Sequence, residues 1–273
     1  MPFEHIHPEK ISQTVVRQIE QLILRGILKP GERLPSEREL SERLGVSRPS
    51  LREALANLQE SGLLTSRAGS GVFVGNVLGS AFSNPLVRLF SSHDEAVFDY
   101  IDFRRDMEGL AAHRAATVGS DTDLSIIDTI FIKMENADGK RNPTEEAALD
   151  AEFHLSIIEA GHNVIMLHMM RSLYQLLQEG VFYNRQVMFK QRTTRDTLLD
   201  QHRAINDALQ ARDANGARTA VEQHLRFVED ALSNQNKAHQ HEAIAKKRFE
   251  HEIKQQLKRK KPHAPMRRAH EDL

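Results

Sequence analysis

Four side chains that can bind a divalent metal ion interrupt the apolar stripes of three predicted helices. Asp150 and His154 are four residues apart, so they share one face of a helix, and His202 and His224 lie on two later helices. A single buried histidine is commonly a hydrogen-bonded core residue, but an unpaired buried carboxylate is costly. Three neutral imidazoles and one carboxylate oxygen suit a divalent transition metal. Zn²⁺ is the first candidate, and Ni²⁺ and Mn²⁺ are the alternatives. A carboxylic acid could replace water on such a metal.

Arg104 and Asn163 are candidates for binding that acid. Arg104 lies on the inward stripe of a predicted helix over 94–118, and its planar guanidinium can hold a carboxylate through two hydrogen bonds. The same side chain can instead pair with Glu108, one turn later. Asn163 follows a predicted break between helices, where it either caps the next helix or hydrogen-bonds the ligand.

Seven residues near the N-terminus have types and positions that suit contact with DNA. A predicted helix beginning after Ser47 presents hydroxyls and arginines in its first turn, where backbone N–H groups also bind phosphate. Arg48 or Arg52 can reach guanine edges with two hydrogen bonds. The alternative is that these arginines form a solvated surface and the serines only cap helices. The candidates are Arg38, Ser47, Arg48, Ser50, Arg52, Arg67 and Gly69.

The elements that carry these residues follow the order helix, helix, turn, helix, hairpin over residues 8–75. Ser36 opens the second helix in a capping-box pattern, and Gly45 ends it. Ser47 caps the third helix, which is expected to run from Arg48 to about Glu60, with Gly62 as the stop that follows it. The segments LLTSR and GVFV, separated by AGS, predict a short β-hairpin. This order predicts a winged helix-turn-helix.

Beyond a Gly/Ser/Asn-rich segment at 74–84, the chain shows only helical periodicity as far as residue 236. The predicted helices cover 94–118, 122–137, 143–160, 163–189, 194–211 and 213–235. We therefore expect a mainly α fold, in which an all-α helical bundle follows the winged helix-turn-helix. The expected division is a DNA-binding domain at 1–76, a linker at 77–93, a ligand- and metal-binding domain at 94–236 and a basic, partly disordered tail at 237–273.

Composition and charge exclude several kinds of chemistry and indicate which parts of the chain can contact DNA. The 273 residues include no cysteine, which excludes disulfides, Cys-ligated zinc, iron–sulfur clusters and thiol catalysis. We find neither a transmembrane run nor a signal-peptide core, so we expect a cytoplasmic protein. The net charge is +1 over 1–76, −8 over 77–236 and +6 over 237–273. DNA contact is therefore expected at the ends of the chain. The basic tail either adds phosphate contacts or is a solubilising extension.

Several long segments resemble a known family. LKPGERLPSERELSERLGVSRPSLREAL and GLLTSRAGSGVFV resemble the winged domain of the GntR family of regulators. FRRDMEGLAA, LDAEFHLSIIEAGHN, LLDQHRAINDAL and VEQHLRFVEDAL are similar to the ligand domain of its FadR subfamily, the FCD domain. Within that subfamily the chain is most similar to members that respond to pyruvate, lactate or glycolate. Its Asp-x-x-x-His pair departs from the pattern of the pyruvate-responsive members, so lactate and glycolate remain candidates for the effector.

The resemblance implies a transcription regulator, with a repressor expected, and not an enzyme. It implies DNA contacts by Arg38, Arg48 and Arg52, with the wing in the minor groove. It also implies metal binding by the Asp150/His154/His202/His224 set and effector binding by Arg104. We expect a homodimer on a palindromic operator. The alternatives are a DNA-binding protein with a structural metal, and a metal-dependent enzyme. Against the enzyme stand the missing His-Glu-x-x-His motif and phosphate-binding loop.

Overall fold

The computed structural model describes residues 10–75, 82–93, 95–138, 140, 142–178 and 192–259. The chain divides into two compact units, Met1–Arg226 and Phe227–Leu273. The fold is mainly α with one small sheet, as the sequence predicts.

The described elements occur in an order that matches the predicted winged domain and bundle. They are α1 (Ile11–Leu24), α2 (Glu37–Leu44), α3 (Arg48–Glu60), β1 (Leu64–Arg67), β2 (Gly71–Val74), α4 (Asn84–Ser91), α5 (Glu95–Val118), α6 (Asp121–Asp138), α7 (Pro143–Ala160), α8 (Val164–Gln178), α9 (Arg192–Gln210) and α10 (Ala214–Arg259). Among the described residues, none of the helices has the length and apolar character needed to cross a bilayer.

Local capping fixes where α2 and α3 begin. The Ser36 hydroxyl accepts a hydrogen bond from the backbone N–H of Glu39 at 3.3 Å, and Ser47 does the same for Ser50. The Glu39 carboxylate pairs with Arg43 at 2.6 Å, and so it stabilises the exposed side of α2. Both caps agree with the sequence-based prediction and set the tight turn between the two helices.

The hairpin and three helices enclose the first apolar core. Strands β1 and β2 are antiparallel, with Leu64 opposite Val74 and Arg67 opposite Gly71. Gly69 has φ +71°, a left-handed conformation that suits glycine at the tip of the wing. The buried apolar residues of this core are Val15, Ile19, Ile23, Leu34, Leu51, Ala54, Leu55, Leu58, Leu64 and Val74.

Helices α5, α6, α7, α9 and the start of α10 share a second core. Small residues on α5, such as Ala112 and Ala115, are completely buried, so neighbouring helices approach this helix closely. Phe131 of α6 and Phe153 of α7 fill the centre, and Val221 extends it to α10. This packing brings inward-facing positions of α7, α9 and α10 to one place.

Two regions differ from the sequence-based expectation. The expected linker contains helix α4, because Pro85 suits a first helical turn and Val87 and Phe90 pack against an apolar cluster of α5, α7 and α8. Helix α10 continues to Arg259, well past its expected end, because no glycine or proline interrupts that stretch. Parts of the linker and tail, and residues 179–189 of the predicted helix 163–189, lie outside the described residues.

Candidate functional site

The bundle brings together the four residues that the sequence singles out as metal ligands. One donor atom from each of Asp150, His154, His202 and His224 lies within 4.8 Å of the others. The Nε2 of His202 is 3.1 Å from Asp150 Oδ1 and 3.3 Å from His154 Nε2. The distance from His154 Nε2 to Asp150 Oδ1 is 3.7 Å. All four side chains are buried.

Three helices position this cluster. Asp150 and His154 are one turn apart on α7, so both side chains face α9 and α10. His202 packs edge-on against the Phe153 ring at 5.4 Å, and its ring centroid lies 4.5 Å from that of His224. These ring contacts hold the imidazoles of His202 and His224 in place within the core.

Hydrogen bonds at Nδ1 fix the ring orientation of two of the histidines. His154 Nδ1 lies 2.7 Å from Glu108 Oε2, and His224 Nδ1 lies 3.1 Å from Gln201 Oε1. Each acceptor favours a proton on Nδ1 and leaves Nε2 available as a ligand.

The donor set passes a simple test of fit to a metal ion. Ligand atoms about 2.1 Å from an ion lie about 3.0–3.4 Å apart when they are adjacent. The two shorter separations, 3.1 and 3.3 Å, lie in that range, the third, 3.7 Å, lies slightly above it, and all four donor atoms lie within 4.8 Å of one another. Three imidazoles with one carboxylate therefore fit a divalent transition metal.

Arg104 lies in a buried network next to the cluster. Its side chain is 1% exposed, and its Nε donates to Glu108 Oε1 at 2.6 Å. Its Nη2 donates to the Tyr174 hydroxyl at 2.8 Å, and that hydroxyl donates to Glu108 Oε1 at 2.8 Å. The structure thus contains the Arg104–Glu108 pair that the sequence leaves as an alternative to effector binding.

Contacts within this buried network shift the pKa values of Glu108 and Tyr174. Burial alone would raise the pKa of Glu108, but the Arg104 guanidinium and His154 outweigh burial and hold that pKa well below its usual range. Burial, opposed by Arg104 and reinforced by Glu108, raises the pKa of the Tyr174 hydroxyl well above its usual value. Glu108 is therefore a carboxylate and Tyr174 a neutral donor.

A small cavity of about 20 Å³ reaches His202, large enough for one water molecule. Arg195 and Glu146 line it and form an ion pair at 2.8 Å. Burial raises the pKa of Glu146 despite the neighbouring arginine. The sequence reasoning missed both residues, although Arg195 is seven residues before His202 and Glu146 four before Asp150, positions on the same helix faces.

Asn163 stands at the start of α8. Its Oδ1 accepts a hydrogen bond from the backbone N–H of Met166 at 3.1 Å, which is the capping role considered from the sequence. The residue also lines a cleft of about 680 Å³ together with Leu24 at the end of α1. A ligand in that cleft would share Asn163 with the helix cap.

The residues selected for DNA contact lie on one small domain and are mostly exposed. Arg38, Ser47, Arg48, Arg52, Arg67 and Gly69 are exposed, and Ser50 is half-buried. The Nε of Arg52 donates to Glu37 Oε2 at 2.7 Å, an exposed pair that can exchange for a phosphate at little cost. The Arg67 guanidinium stacks on the Phe73 ring at 4.4 Å, which stiffens the wing.

Two family models match this chain. The model of the bacterial regulatory proteins of the gntR family matches residues 11–74, and the FCD domain model matches residues 99–227. A solved structure titled "Streptococcus agalactiae GntR" covers 81% of this chain and 100% of its own, at 24% identity and a TM-score of 0.48.

Curated proteins match over most of their length. The "Putative L-lactate dehydrogenase operon regulatory protein" of Escherichia coli (strain K12) is 36% identical over 82% of this chain and 87% of its own. The "Glc operon transcriptional activator" of the same organism is 34% identical over 81% and 89%. The "HTH-type transcriptional regulator LutR" of Bacillus subtilis (strain 168) is 31% identical over 78% and 96%.

Proposed function

Because this chain belongs to the GntR family of bacterial transcription regulators and carries an FCD domain, we propose that it is a repressor whose binding to operator DNA is controlled by a small carboxylic acid. The relatives are regulators, so the protein is a DNA-binding regulator and not an enzyme. The observation that carries the acid-sensing part is the buried cluster of three histidines and one aspartate.

Asp150, His154, His202 and His224 would hold a divalent metal, Zn²⁺ in the first place. A bound metal supplies a positively charged coordination position that a carboxylate can take from water. The four side chains are buried, and the lower dielectric of a protein interior strengthens that attraction.

Two arginines are candidates for binding the acid beside the metal. Arg104 stays our first candidate, since Glu108 connects its guanidinium to the ligand His154. Arg195 is a second candidate, since it lines the cavity that reaches His202. Both are paired with a glutamate, so an incoming carboxylate would have to share or replace that partner. Asn163 caps helix α8, and we propose that it can also contact the effector without giving up that role.

On DNA, we propose a homodimer in which each protomer inserts α3 into a major groove of a palindromic operator. Arg48 and Arg52 would read base edges, Arg38 would bind a phosphate, and the hydroxyls of Ser47 and Ser50 would add phosphate contacts. The wing, with Arg67 and Gly69, would enter the adjacent minor groove.

Helix α8 offers a physical connection between the acid site and the DNA-binding elements. His168 Nε2 lies 2.8 Å from the backbone oxygen of Leu24, and Arg171 Nη2 donates to the backbone oxygen of Gly26 at 3.1 Å. Tyr174, on the same helix, hydrogen-bonds Glu108 behind the metal cluster. A shift of α8 caused by the acid would therefore be transmitted to the end of α1. The acid must bind the arrangement that does not bind DNA more tightly.

The effector test is a fluorescence-anisotropy titration of the zinc-loaded protein on an operator selected from a random-sequence pool. Pyruvate, lactate and glycolate are added at constant salt, with lactamide as an uncharged control. One relative is named as an L-lactate dehydrogenase operon regulator, and this name makes lactate our first candidate among the three acids. We expect at least one acid to weaken DNA binding by about 5–150-fold. DNA binding that ignores every small acid would favour the second candidate function, a DNA-binding protein with a structural metal.

A further inference from the structure

We propose that Glu108 is a positioning residue of the metal centre, which holds His154 with its Nε2 toward the cluster. The inference rests on the proposed metal site and extends it to a residue on a different helix. Glu108 lies on α5, whereas the four candidate ligands lie on α7, α9 and α10.

The Glu108 carboxylate is held by three side chains. Oε1 accepts from Arg104 Nε at 2.6 Å and from the Tyr174 hydroxyl at 2.8 Å. Oε2 lies 2.7 Å from His154 Nδ1 and 3.4 Å from Arg104 Nη2. The side chains of Arg104, Glu108 and His154 are each no more than 2% exposed. The carboxylate therefore has a fixed position, and His154 has a fixed ring orientation.

The charge of Glu108 gives His154 a role that His224 does not have. The Nδ1 of His224 faces the neutral amide oxygen of Gln201, whereas that of His154 faces a buried carboxylate. An imidazole that donates to a carboxylate is a stronger ligand than one that donates to an amide. The Arg104 guanidinium lies against the same carboxylate, 2.6 Å from Oε1 through Nε and 3.4 Å from Oε2 through Nη2, so this acceptor is held in place for His154.

Replacing Glu108 by glutamine preserves the side-chain volume but replaces one of the two hydrogen-bond acceptors by an NH₂ donor. Arg104, Tyr174 and His154 each direct an N–H or O–H group at the Glu108 carboxylate, so the amide NH₂ group of glutamine must face one of them. If the NH₂ group faces His154 Nδ1, the ring proton moves to Nε2, which can then no longer bind a metal. If the NH₂ group faces Arg104 and Tyr174, donors oppose donors in a buried site.

The test is zinc affinity, measured by competition with a chelating dye for the full-length chain. Glu108→Gln should bind zinc about 10–100-fold more weakly than the unchanged protein. The matched control is Glu222→Gln, which removes an Arg–Glu pair of the same spacing at a partly exposed position of α10. The control should bind zinc with unchanged affinity.

A second readout separates positioning from general loss of structure. In metal-free protein labelled with ¹⁵N-histidine, the His154 ring should carry its proton on Nδ1, and in Glu108→Gln a share should move to Nε2. Unchanged zinc affinity in Glu108→Gln, or weaker affinity with an unchanged tautomer, overturns the proposal.

Tyr174→Phe covers the case in which Glu108→Gln does not fold. This change removes one donor to Glu108 at nearly constant volume and should weaken zinc binding several-fold. If Glu108→Gln does not fold, full zinc affinity in Tyr174→Phe overturns the proposal. Failure of the unchanged protein to bind zinc would instead remove the metal site itself.

Discussion

Replacing His202 by alanine is the sharpest test of whether the four residues act as one metal site. His202 is the member closest to two of the other ligands, at 3.1 Å from Asp150 Oδ1 and 3.3 Å from His154 Nε2. The substitution removes one of four donors and opens space next to the cavity lined by Arg195. Three ligands remain on only two helices.

The size of the effect follows from linkage between metal binding and folding. A metal present at 100 times its dissociation constant stabilises the folded state by about 2.7 kcal/mol. For a protein of this size, each kcal/mol raises the midpoint of thermal unfolding by roughly 2–4 °C. Zinc should therefore raise the melting temperature of the unchanged protein by about 5–11 °C. In His202→Ala we expect only a small fraction of that shift, because the metal no longer connects α9 to α7 and α10.

The assay is thermal unfolding of EDTA-treated, dialysed protein titrated with zinc, combined with metal analysis of the same samples. The control is His113→Ala, which removes a half-buried histidine of α5 outside the cluster. The control should keep the zinc-dependent shift. A full metal complement and an undiminished shift in His202→Ala would refute the site.

Three further changes test other parts of the molecule. Arg48→Ala should weaken binding to the selected operator by about 1–3 kcal/mol while leaving zinc binding intact; an equal loss on scrambled DNA would argue against base reading. Arg104→Ala should lower the free energy of unfolding, measured in urea, by about 3–5 kcal/mol, because Glu108 is left buried without its cation; a loss below about 1 kcal/mol would contradict the buried pair. Truncation after Asn236 should leave the salt dependence of DNA binding unchanged if the tail is a solubilising extension; a shallower slope would assign phosphate contacts to residues 237–273.

Features encoded in local sequence were predictable. Ser36, Gly45 and Ser47 mark helix boundaries by backbone chemistry that acts within one turn, and the structure has the boundaries where these residues predict them. The i, i+4 spacing of Asp150 and His154 likewise fixes their common face without knowledge of the fold.

Features that depend on packing between distant segments were not predictable. Glu108 meets His154 only because α5 packs on α7, and Tyr174 completes the network from α8. Helical periodicity shows which residues face inward but does not show which inward residues touch. Helix α4 was missed for a related reason: its eight residues gain stability from contacts of Val87 and Phe90 with the bundle rather than from a strong local signal.

The most direct test of the central claim compares the acid response of zinc-loaded and metal-free protein on the same operator fragment at the same salt. The acid found by the effector panel is titrated against protein–DNA complexes, with anisotropy as the readout. We predict that the acid weakens DNA binding about tenfold or more when zinc is bound and changes it little when zinc is absent. An equal response with and without zinc would contradict a sensor built on Asp150, His154, His202 and His224.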